Sequence, residues 1–231
     1  MNKKPFTIAF ITAGDPDAAS TAAYIAALEK GGASVMELAV PFSDPTAEGE
    51  EIQESFVRAL KGGMSVEKTF EILEQVRKNS AVPVILRSYL NPVLRYGYQK
   101  FFRRCAQLGV CALDVPDLPF EEREEVQPYA RENGVDIIMH AASADGERLR
   151  GIALSARGYL FAESARAARE ARRFAKAPVV LTAQNAREAA LAAADADGVC
   201  TGSGVAGITA ALGAHAEGAL EKYMADMIAA L

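Results

Sequence analysis

The sequence has no tryptophan, two histidines and three cysteines. Cys105, Cys111 and Cys200 are odd in number and lack the paired spacing of a zinc site or a disulfide framework. They are expected to be reduced thiols at core or strand positions of a cytoplasmic protein, and no metal site is expected. No apolar run reaches membrane length. The basic start, Met1-Asn2-Lys3-Lys4-Pro5, leads into only about six hydrophobic residues, too few for a signal peptide or a span. Positive charge is not in excess either: 25 Lys and Arg stand against 30 Asp and Glu, a net charge of −5. That balance leaves no basic footprint for nucleic acid. Linkers, low-complexity segments and charge blocks are also missing, so residues 1–231 are expected to form one domain.

What is present is hydrophobic residue in quantity, 50% of the chain, arranged in alternation. Short runs rich in Val and Ile recur at 7–12, 34–40, 83–89, 110–115, 135–140, 159–162, 178–182 and 198–201. Segments of helical period follow them at 17–30, 51–60 with 66–78, 93–108, 120–133, 145–156, a short Arg/Ala-rich stretch to about 175, 186–194 and 215–231. Gly31-Gly32 closes the first helix, as glycine commonly does. Strands separated by helices must run parallel and be covered on both faces. Eight units without a break in composition favour a (β/α)8 TIM barrel over an open, doubly wound sheet. In a barrel of this kind chemistry collects at the C-terminal ends of the strands and in the loops after them.

Several residues there could carry chemistry. Glu37 lies in an apolar strand, Met36-Glu37-Leu38-Ala39-Val40. An unpaired buried carboxylate is costly, so Glu37 is either a salt-bridged structural residue or an acid–base group with a raised pKa. The following loop, Pro41 to Glu50, brings Glu48, which is either solvated or folded back so that two carboxyls divide acid and base roles. Asp114, Asp117 and Asn91 are each placed to cap a helix. His140 ends the fifth strand and is either structural or an acid–base candidate; His215 is given no role. Gly202-Ser203-Gly204 follows the eighth strand, where small residues let backbone N–H groups reach an anion.

Taken together, Asp15-Pro16, the run Glu37-Leu38-Ala39-Val40-Pro41-Phe42-Ser43-Asp44-Pro45, Ala47-Glu48-Gly49, Ile52-Gln53, Tyr89-Leu90-Asn91-Pro92 with Arg95-Tyr96-Gly97, and Asp117-Leu118-Pro119 with Glu121-Glu122 are similar in order and spacing to the signature of the tryptophan synthase α chains. The resemblance runs from Phe6 to about Gly158 and resumes weakly at Gly198 to Gly204. It implies an aldol-type cleavage of indole-3-glycerol phosphate to indole and glyceraldehyde 3-phosphate, without a cofactor. It also implies transfer of indole to a β-type subunit that carries pyridoxal phosphate. By the same resemblance, Glu37 protonates the indole ring carbon and Glu48 accepts the indole N–H. Phe10 and Tyr89 line the ring pocket, Gly202 and Ser203 hold phosphate, and Asp44-Pro45 and Asn91-Pro92 lie towards the β subunit.

The sequence departs from that family at two residues and in two connecting segments. Glu48 stands where the family has Asp; the extra methylene can move the carboxylate by about 1 Å, a shift that costs on the order of 100-fold in rate. Phe161 stands where the family has an active-site Tyr. The segment after the sixth strand is short, with Ser164 to Lys176 passing almost directly into helix, and Ala183-Gln184-Asn185-Ala186 replaces a glycine-rich loop after the seventh. Arg166, Arg169, Arg172 and Arg173 are either substitute phosphate donors or a solvated helix face. Three roles remain open from sequence: a trimmed α-type lyase, a barrel acting on a related indole compound without phosphate, and a non-catalytic partner of a β-type subunit.

Overall fold

The computed structural model describes residues 5–142 and 146–231. Eight strands close into a barrel in sequential order, each parallel to its neighbours. They are β1 (Phe6–Thr12), β2 (Val35–Ala39), β3 (Val84–Arg87), β4 (Val110–Asp114), β5 (Asp136–Ala141), β6 (Leu160–Ala162), β7 (Val179–Thr182) and β8 (Gly198–Cys200). β1 pairs with both β2 and β8, which closes the ring. Around it run α1 (Ala18–Lys30), α2 (Glu50–Lys61), α3 (Val66–Arg77), α4 (Leu90–Tyr96), α5 (Tyr98–Gln107), α6 (Gln127–Glu132), α7 (Gly146–Ser155), α8 (Ala165–Ala171), α9 (Ala186–Ala192), α10 (Gly204–Leu212) and α11 (Glu217–Ala229). The TIM barrel expected from the eight-fold alternation is the observed fold. Among the described residues, no helix is long and apolar enough to cross a membrane.

Two cores follow from the two-residue period of a strand. One set of side chains, including Ala9, Ile11, Met36, Leu38, Leu86 and Leu113, packs between sheet and helices. The alternate set, including Ile8, Phe10, Ala39, Ile85, Ala112, Ile138, Val180 and Cys200, fills the barrel interior. Glu37 belongs by parity to the interior set. Residues near the strand ends on this parity therefore meet at the mouth of the barrel.

Local signals start the helices. Asp17 caps α1 by accepting from Ser20 N at 2.8 Å, and Ser65 and Ser164 cap α3 and α8. Asn185 caps α9, while Glu188 reaches back to Gln184 N at 2.9 Å. Gly31 closes α1, as the sequence predicts.

The strand expected over 83–89 is observed as β3 and ends at Arg87, and the larger differences lie in the helices. The helix expected over 93–108 begins at Leu90 and is broken into α4 and α5 at Gly97, whose φ of 93° interrupts the helical backbone. Asn91 is therefore inside α4 and not its cap; Tyr89 holds the cap position. Asp117 does cap a helix, but across the barrel rim: its carboxylate accepts from Leu90 N at 2.9 Å. The helix expected over 120–133 is a 3-10 segment, Phe120–Glu125, followed by α6. That expected over 145–156 is observed as α7, with Asp145 outside the described residues. The helix α10 has no counterpart in the sequence reading, because Gly204 and Gly207 hide its period.

One buried ion pair ties the first loop to the helices beside it. Asp15, 1% exposed, receives both Arg58 Nε at 2.7 Å and Nη2 at 2.9 Å from α2, and Thr209 Oγ1 at 2.8 Å from α10. Replacing Asp15 with Ala strands a guanidinium and a hydroxyl. Because Arg58 is 31% exposed, the expected loss lies at the low end for a broken buried pair, about 2–3 kcal/mol. Urea unfolding of D15A measures it; a loss under about 0.5 kcal/mol, the range of ordinary surface changes, contradicts the assignment.

Candidate active site

Four inward positions of consecutive strands form a charged cluster at the barrel mouth. Glu37 on β2 is fully buried. Arg87 ends β3 and pairs in register with Ala39 on one side and Asp114 on the other. Asp114 ends β4 and is also fully buried. His140 on β5 lies in register with Phe161 on β6. Glu48 completes the cluster from the β2–α2 loop, with its side chain only 4% exposed.

Arg87 joins the acids. Its Nε donates to Glu48 Oε1 at 2.8 Å, and its Nη1 donates to Asp114 Oδ2 at 2.9 Å and Glu37 Oε1 at 3.3 Å. The second oxygen of Asp114 meets His140 Nε2 at 2.7 Å. Tyr159 Oη and Cys200 Sγ each lie 3.5 Å from Glu37 Oε2. The loop carrying Glu48 is fixed in turn. Tyr89 Oη accepts from Ala47 N at 2.8 Å, Gln53 Nε2 donates to the Glu48 carbonyl at 2.7 Å, and Phe42 packs on the Tyr89 ring at 5.3 Å.

The environments of the two buried carboxyls push them apart. Burial raises Glu37 most, the neighbouring Asp114 charge adds to it, and Arg87 only partly opposes both, so Glu37 is pushed up to about 7. Burial would raise Asp114 too, but His140 and Arg87 outweigh it and hold this carboxyl well below the usual range. Burial disfavours the His140 imidazolium; the Asp114 charge and hydrogen bond outweigh that, and its pKa is raised. A carboxyl that exchanges its proton near neutrality, beside one that stays ionised, is the division of labour that acid–base chemistry requires.

The other sequence candidates fall around this cluster. Phe10 is buried, with the Arg87 guanidinium 5.9 Å from its ring centre. Phe161 stacks on His140 at 5.2 Å and 29°. Gly202 and Ser203 lie at the start of α10, with no hydrogen bond to the cluster among the described residues. Gly202 has φ 54°, and a side chain on it would run into Thr182; one on Gly204 would run into Tyr223. Tyr223 Oη on α11 lies 2.9 Å from Gln184 O and 3.5 Å from Thr201 O, so α11 touches the loops after both β7 and β8. On the Arg-rich helix, Arg169 and Arg172 pair with Asp195 and Asp197, and Arg173 pairs with Glu170, as a solvated outer face does.

Two members of the cluster are not marked as site residues by the sequence: Arg87, and Asp114, whose expected place as a helix cap gives way to a buried one in the cluster. Parity carried the missing signal. Arg87 is in the inward register of an apolar strand next to the strand of Glu37, so a cation there needs an acid partner, and Glu37 needs a cation. Glu48 proves to be folded back and paired, the second of its two sequence readings.

The raised pKa of Glu37 has a consequence for stability. A folded-state value near 7, against the ordinary carboxyl value of 4.5, means the folded protein binds this proton more tightly than the unfolded chain. The Glu37 contribution is therefore full below pH ~4.5 and lost as pH rises through ~7. Glu37→Gln lacks that loss. Its stability relative to the parent protein is expected to improve by up to about 3 kcal/mol between pH 4.5 and 8. Urea unfolding at the two pH values checks this, and a difference independent of pH contradicts it.

A family model described as the tryptophan synthase alpha chain matches residues 1–180. The tryptophan synthase alpha chain of Lacticaseibacillus casei is 37% identical over 239 residues, covering 96% of this chain and 90% of that one. That of Shouchella clausii is 39% identical over 165 residues, 71% of this chain and 61% of that one. In three dimensions, a structure from Pyrococcus furiosus, described by its work on mutual activation of the tryptophan synthase α2β2 complex, superposes with a TM-score of 0.92 at 33% identity. The superposition covers 99% of this chain and all of that one. By sequence and fold alike, the chain belongs to the tryptophan synthase α chain family.

Proposed function

We propose that the chain, acting as one domain of 231 residues in the cytoplasm, is an α-type lyase of tryptophan biosynthesis. It cleaves indole-3-glycerol phosphate to indole and glyceraldehyde 3-phosphate. The observation that carries this reading is Glu37: a fully buried carboxyl with a pKa near 7, held at the barrel mouth. An indole departs as a carbon leaving group only when its ring carbon is protonated and its nitrogen can share the positive charge that results. Glu37 supplies that proton. Glu48, fixed by Arg87 and by the Tyr89-anchored loop, accepts the ring N–H. Phe10, Tyr89 and Phe161 offer ring surfaces around the cluster.

Gly202 and Ser203 bind the phosphate through the N-terminus of α10, a nine-residue helix. The remaining donors are few. The β6–α8 and β7–α9 connections reach a helix cap two and three residues after the strand ends: Ser164 caps α8 and Asn185 caps α9. Phosphate should therefore contribute little to affinity.

A β-type subunit is the proposed partner, docking on the loops after β2 and β3. Asp44 and Asn91 are exposed there, and Leu94 on α4 is an exposed large apolar side chain at 53%. The similar Pyrococcus furiosus structure concerns an α2β2 complex, which supports the same partner.

Indole release from indole-3-glycerol phosphate, with and without a tryptophan synthase β subunit, tests the reading. Turnover is expected to vanish in Glu37→Gln and to fall on the order of 100-fold in Glu48→Gln. A folded protein that releases no indole in either condition, or a Glu37→Gln variant with unchanged turnover, contradicts it. The dephosphorylated substrate is expected to show a KM within about tenfold of the phosphorylated one, equivalent to about 1.4 kcal/mol. A much larger loss would mean that the start of α10 binds phosphate strongly.

A further inference from the structure

His140 has the geometry of an acid–base residue, and the mechanism above does not use it. Its Nε2 is 2.7 Å from Asp114 Oδ1. Asp114 is fully buried, and its other oxygen is held at 2.9 Å by Arg87. The imidazole stacks on Phe161, which fixes the ring plane. A buried, ionised aspartate on one ring nitrogen sets the tautomer: the proton sits on Nε2 and the lone pair on Nδ1. The His140 side chain is 21% exposed, against 11% for Arg87, 4% for Glu48 and none for Glu37. His140 is the most exposed of these cluster members.

Glu37 is poorly placed to do all the proton work alone. Its Oε1 faces Arg87 and its Oε2 lies between Tyr159 and Cys200. Cleavage needs one proton delivered to the ring carbon and another removed from the hydroxyl on the adjoining carbon. His140 stands on the inward parity near the end of β5 and is joined to Glu37 and Glu48 through Asp114 and Arg87, so a substrate seated on that cluster meets its free Nδ1.

We propose that His140, oriented by Asp114, is a second catalytic acid–base residue of this site and takes the hydroxyl proton of the substrate as the carbon–carbon bond breaks. The proposal rests on the lyase reading above. The step balances without a co-reactant. Glu37 gives its proton to the ring carbon; the O–H proton passes to Nδ1 of His140. The O–H electron pair becomes the aldehyde C=O, and the electrons of the broken C–C bond return to the ring and neutralise its nitrogen. One proton leaves Glu37 and one arrives on His140, and exchange with solvent resets both. Asp114 is a positioning residue: it acts through the imidazole and does not touch substrate.

The pH dependence separates this role from a structural one. The charged groups facing His140 are Asp114 on β4, Arg87 on β3 and Glu37 on β2. The imidazole must be neutral to accept a proton, so activity rises with pH through the raised pKa of His140 and falls again as Glu37 loses its proton.

The test is kcat and KM for indole release across pH for the full chain with a β subunit, comparing the parent protein, His140→Gln, Asp114→Asn and Glu37→Gln. His140→Gln is expected to lose on the order of 100-fold or more in kcat with little change in KM. It should also lose the acidic limb of the profile while keeping the alkaline limb. Asp114→Asn should move the acidic limb to lower pH, because the imidazolium loses its counter-charge; His140→Gln, at a partly exposed ring, carries the test if that variant does not fold. Indole release that disappears in Glu37→Gln but survives in His140→Gln with the acidic limb intact overturns this step alone. No release by the parent protein overturns the lyase reading and this step with it.

Discussion

The Arg87 guanidinium, buried among three carboxyl groups, is the contact on which the site is built. A cation at the inward end of β3 is tolerable only if acids repay its lost hydration. Glu37, Glu48 and Asp114 do so at 3.3, 2.8 and 2.9 Å. The reverse also holds, since three carboxyls on adjoining elements would repel one another without a cation between them. The planar fork of arginine can address several acceptors at once, which the point charge of lysine cannot do from one place. The cluster thus links β2, β3, β4 and the β2–α2 loop, and it sets the protonation of each member. Asp114, drawn to both Arg87 and His140, stays ionised. Glu37, with the weakest share of Arg87 and no exposure, is the carboxyl that keeps its proton to near neutrality.

Burial, more than the sharing of Arg87, sets the Glu37 carboxyl apart, and the register decides how Arg87 is divided among the three acids. Arg87 sits opposite Asp114 across the β3–β4 ladder and opposite Ala39, two residues beyond Glu37, across β2–β3. The guanidinium must reach back to Glu37 and forward to Glu48. A one-residue shift of the ladder would send every one of these side chains to the helix-facing core. A register irregularity at Val84/Ile85, two residues before Arg87, lies where the pairing of Arg87 with Asp114 is decided.

Much of this was legible in the sequence. The eight units followed from alternating apolar periods, and Glu37 stood out as an acid in an apolar strand. The aromatic positions and the short connections after β6 and β7 could also be read from the chain. What could not be read was which side chains converge. His140 and Asp114 are 26 residues apart and Arg87 and Glu48 are 39 apart, so no local pattern joins them. Arg87 lies in an apolar strand, and only closure of the barrel makes its position interior and brings it to its acid partners. Helix α10 was hidden for another reason. Its two glycines are poor helix formers, and its place is set by tertiary contacts, with Thr209 bound to Asp15 and Gly204 against Tyr223.

The two ends of the site are built to different standards. On the β1–β4 side the buried acids are each held by further contacts: Glu48 by Arg87 on a loop fixed by Tyr89 and Gln53, Asp114 by Arg87 and His140, and the structural Asp15 by Arg58 and Thr209. On the β6–β8 side the strands pass almost at once into capped helices, and Gly202 and Ser203 offer mainly backbone. An enzyme built this way has little remote binding energy to draw on for orienting its substrate. Its rate must then come from groups already in position before the substrate arrives. The rigid Arg87 cluster, fixed by ion pairs within the barrel wall, is preorganised in that sense. On that reading, orientation is built into the Arg87 cluster at the barrel mouth rather than into the phosphate end.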